Sequence, residues 1–140
     1  MSRFIVDASV GAKWLLEEIH SDAARRLLIG GHELLVPDLV YTEIANALWQ
    51  RTRRGEMVEQ EALTALQALA ATSWTVFSAW PLVVPALEIA CRVGLAVYDS
   101  VYLALAVQEQ AVMITADQKL HKAVQGSALS PYLIWVADAP

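Results

Sequence analysis

Short runs of consecutive apolar residues alternate along this chain with longer stretches in which apolar positions recur every three or four residues. These are the signatures of buried strands and of helices packed on them. Phe4-Ile5-Val6 is a β-prone run ending at Asp7, and the periodic stretch from about Val10 to Leu28 predicts one helix, stopped by Gly30-Gly31. Leu34-Leu35-Val36 predicts a second strand. Pro37-Asp38 reads as the start, and Gly55 as the end, of a helix over Leu39 to Arg54, with a further helix over Glu59 to Ala71. Trp74 to Phe77 predicts a third strand, followed by a helix near Leu82 to Val93 that Gly94 ends. Asp99 opens a helix through about Gln110 that is apolar on almost every side, the pattern of a helix in the middle of a fold. Val112 to Thr115 predicts a fourth strand, Asp117 to Gln125 a short helix and Tyr132 to Val136 a last strand. The fold class is α/β: residues 1–140 form one domain, a mainly parallel sheet of about five strands with helices on both faces.

Composition adds an expectation about partners. An apolar fraction of 56% and a mean hydropathy of +0.41 are high for a water-soluble chain of this size, so part of the surface is expected to be covered in an oligomer or complex. The most apolar stretch, Leu82 to Val107, is interrupted by Pro85, Glu88, Arg92 and Asp99, which argues against a membrane span. The apolar run before Asp7 is too short for a signal peptide, and a single Cys91 in an apolar context allows no disulfide framework, so the expected compartment is the cytoplasm. A net charge of −5 speaks against a nonspecific nucleic-acid coat protein but not against a nuclease, whose metal-site acids can outweigh local basic patches. Such patches are Arg51, Arg53, Arg54 and Lys119, His121, Lys122; each reads equally as a solvated helix end. His20, His32 and His121 form no triad or metal pattern, and Trp14, Trp49, Trp74, Trp80 and Trp135 read as core or interface.

The candidate chemistry lies in four acids. In open α/β sheets ligands bind beyond the carboxyl ends of the strands, where the strand order reverses. Asp7 follows the first strand directly, and Asp117 stands just beyond the end of the fourth. From Asp99 the chain descends a helix of about 16 Å and climbs a strand of about 16 Å, so it begins and ends at one level. Glu43, in the second turn of its helix, shares a face with Leu39, Asn46 and Gln50 beside a core stripe of Val40, Ile44 and Leu48. Four converging carboxylates repel one another unless protonated or neutralised, and an oxygen-only donor set suits Mg²⁺ or Mn²⁺, ions that activate water against a phosphodiester. Taken singly, Asp99 and Asp117 also read as helix N-caps, Asp7 as a turn residue and Glu43 as a solvated helix residue. Ser9, Thr115 and Asn46 are candidates for orienting the acids or a water.

Four segments in order resemble the PIN domain, and within it the VapC-type toxin of type II toxin–antitoxin pairs. They are Phe4-Ile5-Val6-Asp7-Ala8-Ser9, Thr42-Glu43-Ile44-Ala45-Asn46-Ala47-Leu48, Tyr98-Asp99-Ser100-Val101-Tyr102-Leu103-Ala104-Leu105-Ala106 and Ile114-Thr115-Ala116-Asp117-Gln118-Lys119-Leu120. The resemblance implies an Mg²⁺- or Mn²⁺-dependent endoribonuclease that forms a homodimer and is silenced by a cognate antitoxin. Asp7, Glu43, Asp99 and Asp117 match the family's acidic quartet as catalytic and metal-holding residues, with Ser9 and Thr115 as the hydroxyls beside it. Two other readings stay open at this point: a catalytically inactive PIN-fold binding module, and a phosphotransferase with Asp7 as nucleophile, although Asp7-Ala8-Ser9 lacks a second acid two residues on.

Overall fold

Each of the five apolar runs becomes a strand in the computed structural model, which describes residues 2–140. β1 (Arg3–Val6), β2 (Glu33–Pro37), β3 (Thr75–Phe77), β4 (Val112–Thr115) and β5 (Leu133–Trp135) form one sheet in the order β3-β2-β1-β4-β5, every neighbouring pair parallel. The helices between them are α1 (Ala8–Leu15), α2 (Ser21–Ile29), α3 (Leu39–Arg53), α4 (Glu59–Ala68), α5 (Val83–Val93), α6 (Val97–Glu109) and α7 (Gln118–Val124). The strand path runs outward from β1 to β3, then returns across the sheet to β4. With right-handed crossovers this reversal carries α1–α4 over one face and α5–α7 over the other. It also makes the β1/β4 boundary the switch point, where Val6 pairs with Ile114 and the Asp7 amide donates to the Ile114 carbonyl at 3.2 Å.

The core follows the pattern of apolar positions. Ile5, Val6, Leu35, Val36, Met113 and Ile114 are sealed in the sheet, and every residue of α6 from Ser100 to Ala106 is buried. That helix packs on β1, β2 and β4, which explains why it is apolar all round. On the other face α1 meets α3 closely: a Cβ on Gly11 would lie 2.9 Å from Ile44 Cδ1, the mobile end of a side chain that would have to shift to admit it. Among the described residues no single helix is long and apolar enough to cross a membrane; α5 and α6, apolar as a pair, are bent by 112°, and Gly94 between them takes φ +81°.

Several expected boundaries are corrected. The single helix over Val10 to Leu28 is two helices. Leu16 is extended (φ −121°, ψ 138°) and His20 is left-handed (φ 66°). Buried Ser21 makes the corner, its Oγ donating to the Leu16 carbonyl at 2.8 Å and accepting from the Glu18 amide at 3.0 Å. Asp99 does not open α6. Ala96 precedes it in extended conformation and accepts from the Ser100 amide at 3.1 Å, which places Asp99 inside the first turn. The helix from Glu59 changes to a 3₁₀ turn at Leu69–Ala71, the third strand begins at Thr75, and the last strand is clipped on both sides by 3₁₀ turns that take Tyr132 and Val136. Cys91, expected in apolar surroundings, is exposed on α5.

Candidate active site

Four elements deliver one acid each to the carboxyl edge of the sheet. Asp7 is the residue between β1 and α1, Glu43 stands in the second turn of α3, Asp99 in the first turn of α6, and Asp117 caps α7. All four line a single cleft of about 500 Å³. Asp117 is a true N-cap, its Oδ1 accepting from the amides of Lys119 at 2.9 Å and Leu120 at 3.3 Å. Asp7 is only 4% exposed. Its Oδ2 accepts from Ser9 Oγ at 2.6 Å and Thr115 Oγ1 at 2.7 Å, and those two hydroxyls accept in turn from the amides of Ala116 at 2.9 Å and Asp117 at 3.1 Å. The two hydroxyls therefore tie the end of β1 to the end of β4 through one carboxylate oxygen.

The comparisons with known proteins meet this geometry. The PIN domain family model matches residues 4–125, which span all four acids. The chain belongs to the PIN-domain family. Within the PIN family it is of the VapC type: it is 34% identical over 124 residues to ribonuclease VapC3 of Pyrobaculum aerophilum, covering 84% of this chain and 92% of that protein. Ribonuclease VapC9 of Mycobacterium tuberculosis is 36% identical over 119 residues, covering 83% and 87%. Among solved structures, PAE2754 from Pyrobaculum aerophilum superposes with a TM-score of 0.71 at 26% identity, covering 97% of this chain and 85% of that one. The VapBC2 structure from Rickettsia felis, bound to a promoter DNA fragment, shares the fold with a TM-score of 0.64 at 11% identity, covering 95% and 96%.

In this PIN domain Asp7, Glu43 and Asp99 hold their protons unusually tightly. Burial pushes the Asp7 carboxyl up against the opposing pull of its Ser9 and Thr115 hydrogen bonds, and the Asp117 charge pushes the same way as burial. Glu43 is raised to about 7, by burial first and then by the charges of Asp7 and Asp99, although the Tyr102 hydroxyl donating at 2.7 Å pulls it down. Asp99 is raised to about 6 by burial and by the charges of Asp7 and Asp117. Buried Tyr102 is itself held far above its ordinary range and stays a neutral donor. The donor set fits a hard divalent ion, being all oxygen and short of positive charge. Among the described residues no group of three or more His, Cys, Asp or Glu side chains is gathered to hold one as it stands. Glu43 is engaged by Tyr102, and one Asp7 oxygen is taken by two hydroxyls.

Of the supporting residues expected from sequence, Ser9 and Thr115 touch Asp7, whereas Asn46 is exposed on α3 and lies outside the cleft lining. Its place on the α3 wall is taken by Ala47 and Gln50. Tyr102 was missed, although the signal was there: a lone hydroxyl in an otherwise apolar run, three residues after Asp99. Glu18, Arg51 and Arg54 also line the cleft. Glu18 was illegible because it sits in the corner that the periodicity reads as helix.

Proposed function

We propose that this cleft hydrolyses RNA phosphodiester bonds with Mg²⁺ or Mn²⁺, and that the chain is the toxin of a toxin–antitoxin pair. The observation that carries this is the convergence of Asp7, Glu43, Asp99 and Asp117, from four separate elements, on one cleft at the sheet's switch point in a VapC-type PIN domain. Asp7, Glu43, Asp99 and Asp117 would hold the ion. When bound, it supplies positive charge to the phosphodiester and a water acidic enough to attack near neutral pH. Ser9 and Thr115 fix the Asp7 carboxylate so that its free oxygen faces one task, and the Tyr102 hydroxyl restrains Glu43. No side chain is required to form a covalent bond to phosphorus.

The test is cleavage of RNA by the purified chain with and without Mg²⁺ or Mn²⁺, with Asp7→Asn as the control. Metal-dependent cleavage by the wild type and none by the variant is the expected result. Undiminished cleavage by Asp7→Asn sinks the assignment.

The partner we propose is an antitoxin whose apolar segment lies over α3 and α4 and places an Arg or Lys among the four acids. An apolar groove of about 520 Å³ between these helices, lined by Tyr41, Ala45, Leu66 and Leu69, supports this, as do the exposed Trp49 and Leu63 beside it. Leu69, 2% exposed, serves as its floor. A homodimer is proposed on separate apolar surface, the exposed Trp80, Val84 and Leu87 at the start and outer face of α5.

A further inference from the structure

The acids are one end of a longer wall. Glu43, Ala47, Gln50, Arg51 and Arg54 all line the cleft. Their spacing of four, three, one and three residues is one stripe of a helix. At 1.5 Å per residue that stripe runs about 16 Å from Glu43 to Arg54, acidic at its N-terminal end and basic at its C-terminal end.

The two arginines are held differently. Arg51 is anchored on both sides: one amino group is hydrogen-bonded to Glu18 and Nε lies 3.2 Å from Glu56. The other Glu18 oxygen accepts from Lys13 Nζ at 3.1 Å, and Lys13 is buried at 7% exposure, so Glu18 is a fixed strut. Arg53, on the neighbouring face, spends its charge over the Trp49 ring at 5.0 Å. Arg54 is exposed and has no ion pair among the described residues. Attraction to the carbonyl end of α3 accounts for a basic last turn in general. It does not account for an unpaired guanidinium on the stripe of α3 that opens into the cleft.

Resting on the nuclease reading above, we propose that this stripe is the track for the RNA backbone: the acidic end faces the scissile phosphate, and Arg51 and Arg54 take phosphates beside it. Glu18, braced by Lys13, is the positioning residue for Arg51. Charge balance requires such a division. Five acids and two arginines line the cleft, so with every acid ionised three negative charges are in excess, which repels a polyanion along its whole length unless cations stand at both ends. A divalent ion answers this at the acidic end; at the other end only Arg51 and Arg54 do. Contacts of this kind carry no base specificity, so the track serves any single-stranded sequence.

The experiment measures binding of a fluorescent random-sequence single-stranded RNA to the full chain by anisotropy, with Mg²⁺ present, over a range of KCl concentrations and within the time the probe stays intact. Arg54→Gln is expected to weaken binding about five-fold and to lower the slope of log Kd against log salt by about 0.7, the value of one lost phosphate contact on a single strand. Arg51→Gln is expected to act in the same direction but less strongly, because Glu18 and Glu56 already share its charge, Arg51→Lys to keep most of the slope, and Arg53→Gln to change neither quantity. Wild-type affinity and slope in Arg54→Gln overturn the track while leaving the nuclease reading intact. Failure of the wild-type chain both to bind and to cleave RNA overturns the two together.

Discussion

A hydroxyl at position 115 governs how the buried acid at position 7 is held. Thr115 Oγ1 donates to Asp7 and accepts from the Asp117 amide, and all three groups sit at the β1/β4 boundary. Thr115→Val keeps the shape and removes both bonds. The expected outcome is a loss of about 1–3 kcal/mol in chemical denaturation, the cost of stranding buried polar groups, with weaker Mn²⁺ binding by calorimetry. Tyr102→Phe is expected to leave Glu43 without its donor and to raise its proton affinity further, since that bond pulls the group down. The sign of the pH dependence follows from the two raised values. Glu43 and Asp99 bind protons more tightly folded, near 7 and 6, than in the unfolded chain, near 4.5 and 3.8. Their contribution is therefore fully present below the unfolded values and is lost as pH rises through the folded ones. The metal-free protein should melt at a lower temperature at about pH 8 than at about pH 5, Asp99→Asn should flatten the difference, and Mg²⁺ or Mn²⁺ should reverse it. A melting temperature that rises over that interval in the presence of a chelator would contradict the clustered acids.

At the scale of elements, the corner between α1 and α2 matters more than its length suggests. It breaks a helix that periodicity alone continues, because Ser21 satisfies the Leu16 carbonyl and the Glu18 amide that a continuous helix would have paired. Since Ser21 is 2% exposed, Ser21→Ala should cost about 1–3 kcal/mol by denaturation, and it should loosen Glu18 and so the Arg51 end of the cleft. α3 comes close to α1 over Gly11, so Glu43, one residue before Ile44, is brought beside Asp7. On α6 the two-residue shift of the helix start leaves Asp99 facing the cleft rather than consumed as a cap, in contrast to Asp117, whose Oδ1 does cap α7.

At the scale of the whole molecule, part of the apolar excess is exposed on two groups of helices. The α3/α4 groove carries Tyr41, Trp49, Leu63 and Leu66, and α5 carries Val84 and Leu87 with Trp80 just before it. Polar substitution of Trp49 and Leu66 together is expected to weaken the complex with a co-expressed antitoxin while leaving RNA cleavage unchanged; unchanged affinity in a folded double variant would put the partner elsewhere. Leu87→Glu is expected to shift a homodimer towards monomer in sedimentation, with no effect on the antitoxin complex.

Residue order alone determined much of this protein. Five apolar runs and the helical periodicity between them specify an α/β chain with a parallel sheet, because burial on both faces demands continuous apolar strands and right-handed crossovers leave few topologies. Placing Asp7 and Asp117 directly after strands was enough to put them on one edge. Tertiary structure alone decided what depends on contacts between residues far apart in the chain. Tyr102 meets Glu43 across 59 positions and Thr115 meets Asp7 across 108, and neither pairing leaves a local periodic trace. The α1/α2 corner was hidden for the opposite reason: its signal is one buried hydroxyl competing with backbone hydrogen bonds, which periodicity does not weigh. Asn46 and Gln50 looked equivalent on a helical wheel, and only the packing of α3 against α1 turned Gln50, with Arg51 and Arg54, into the cleft and left Asn46 to solvent.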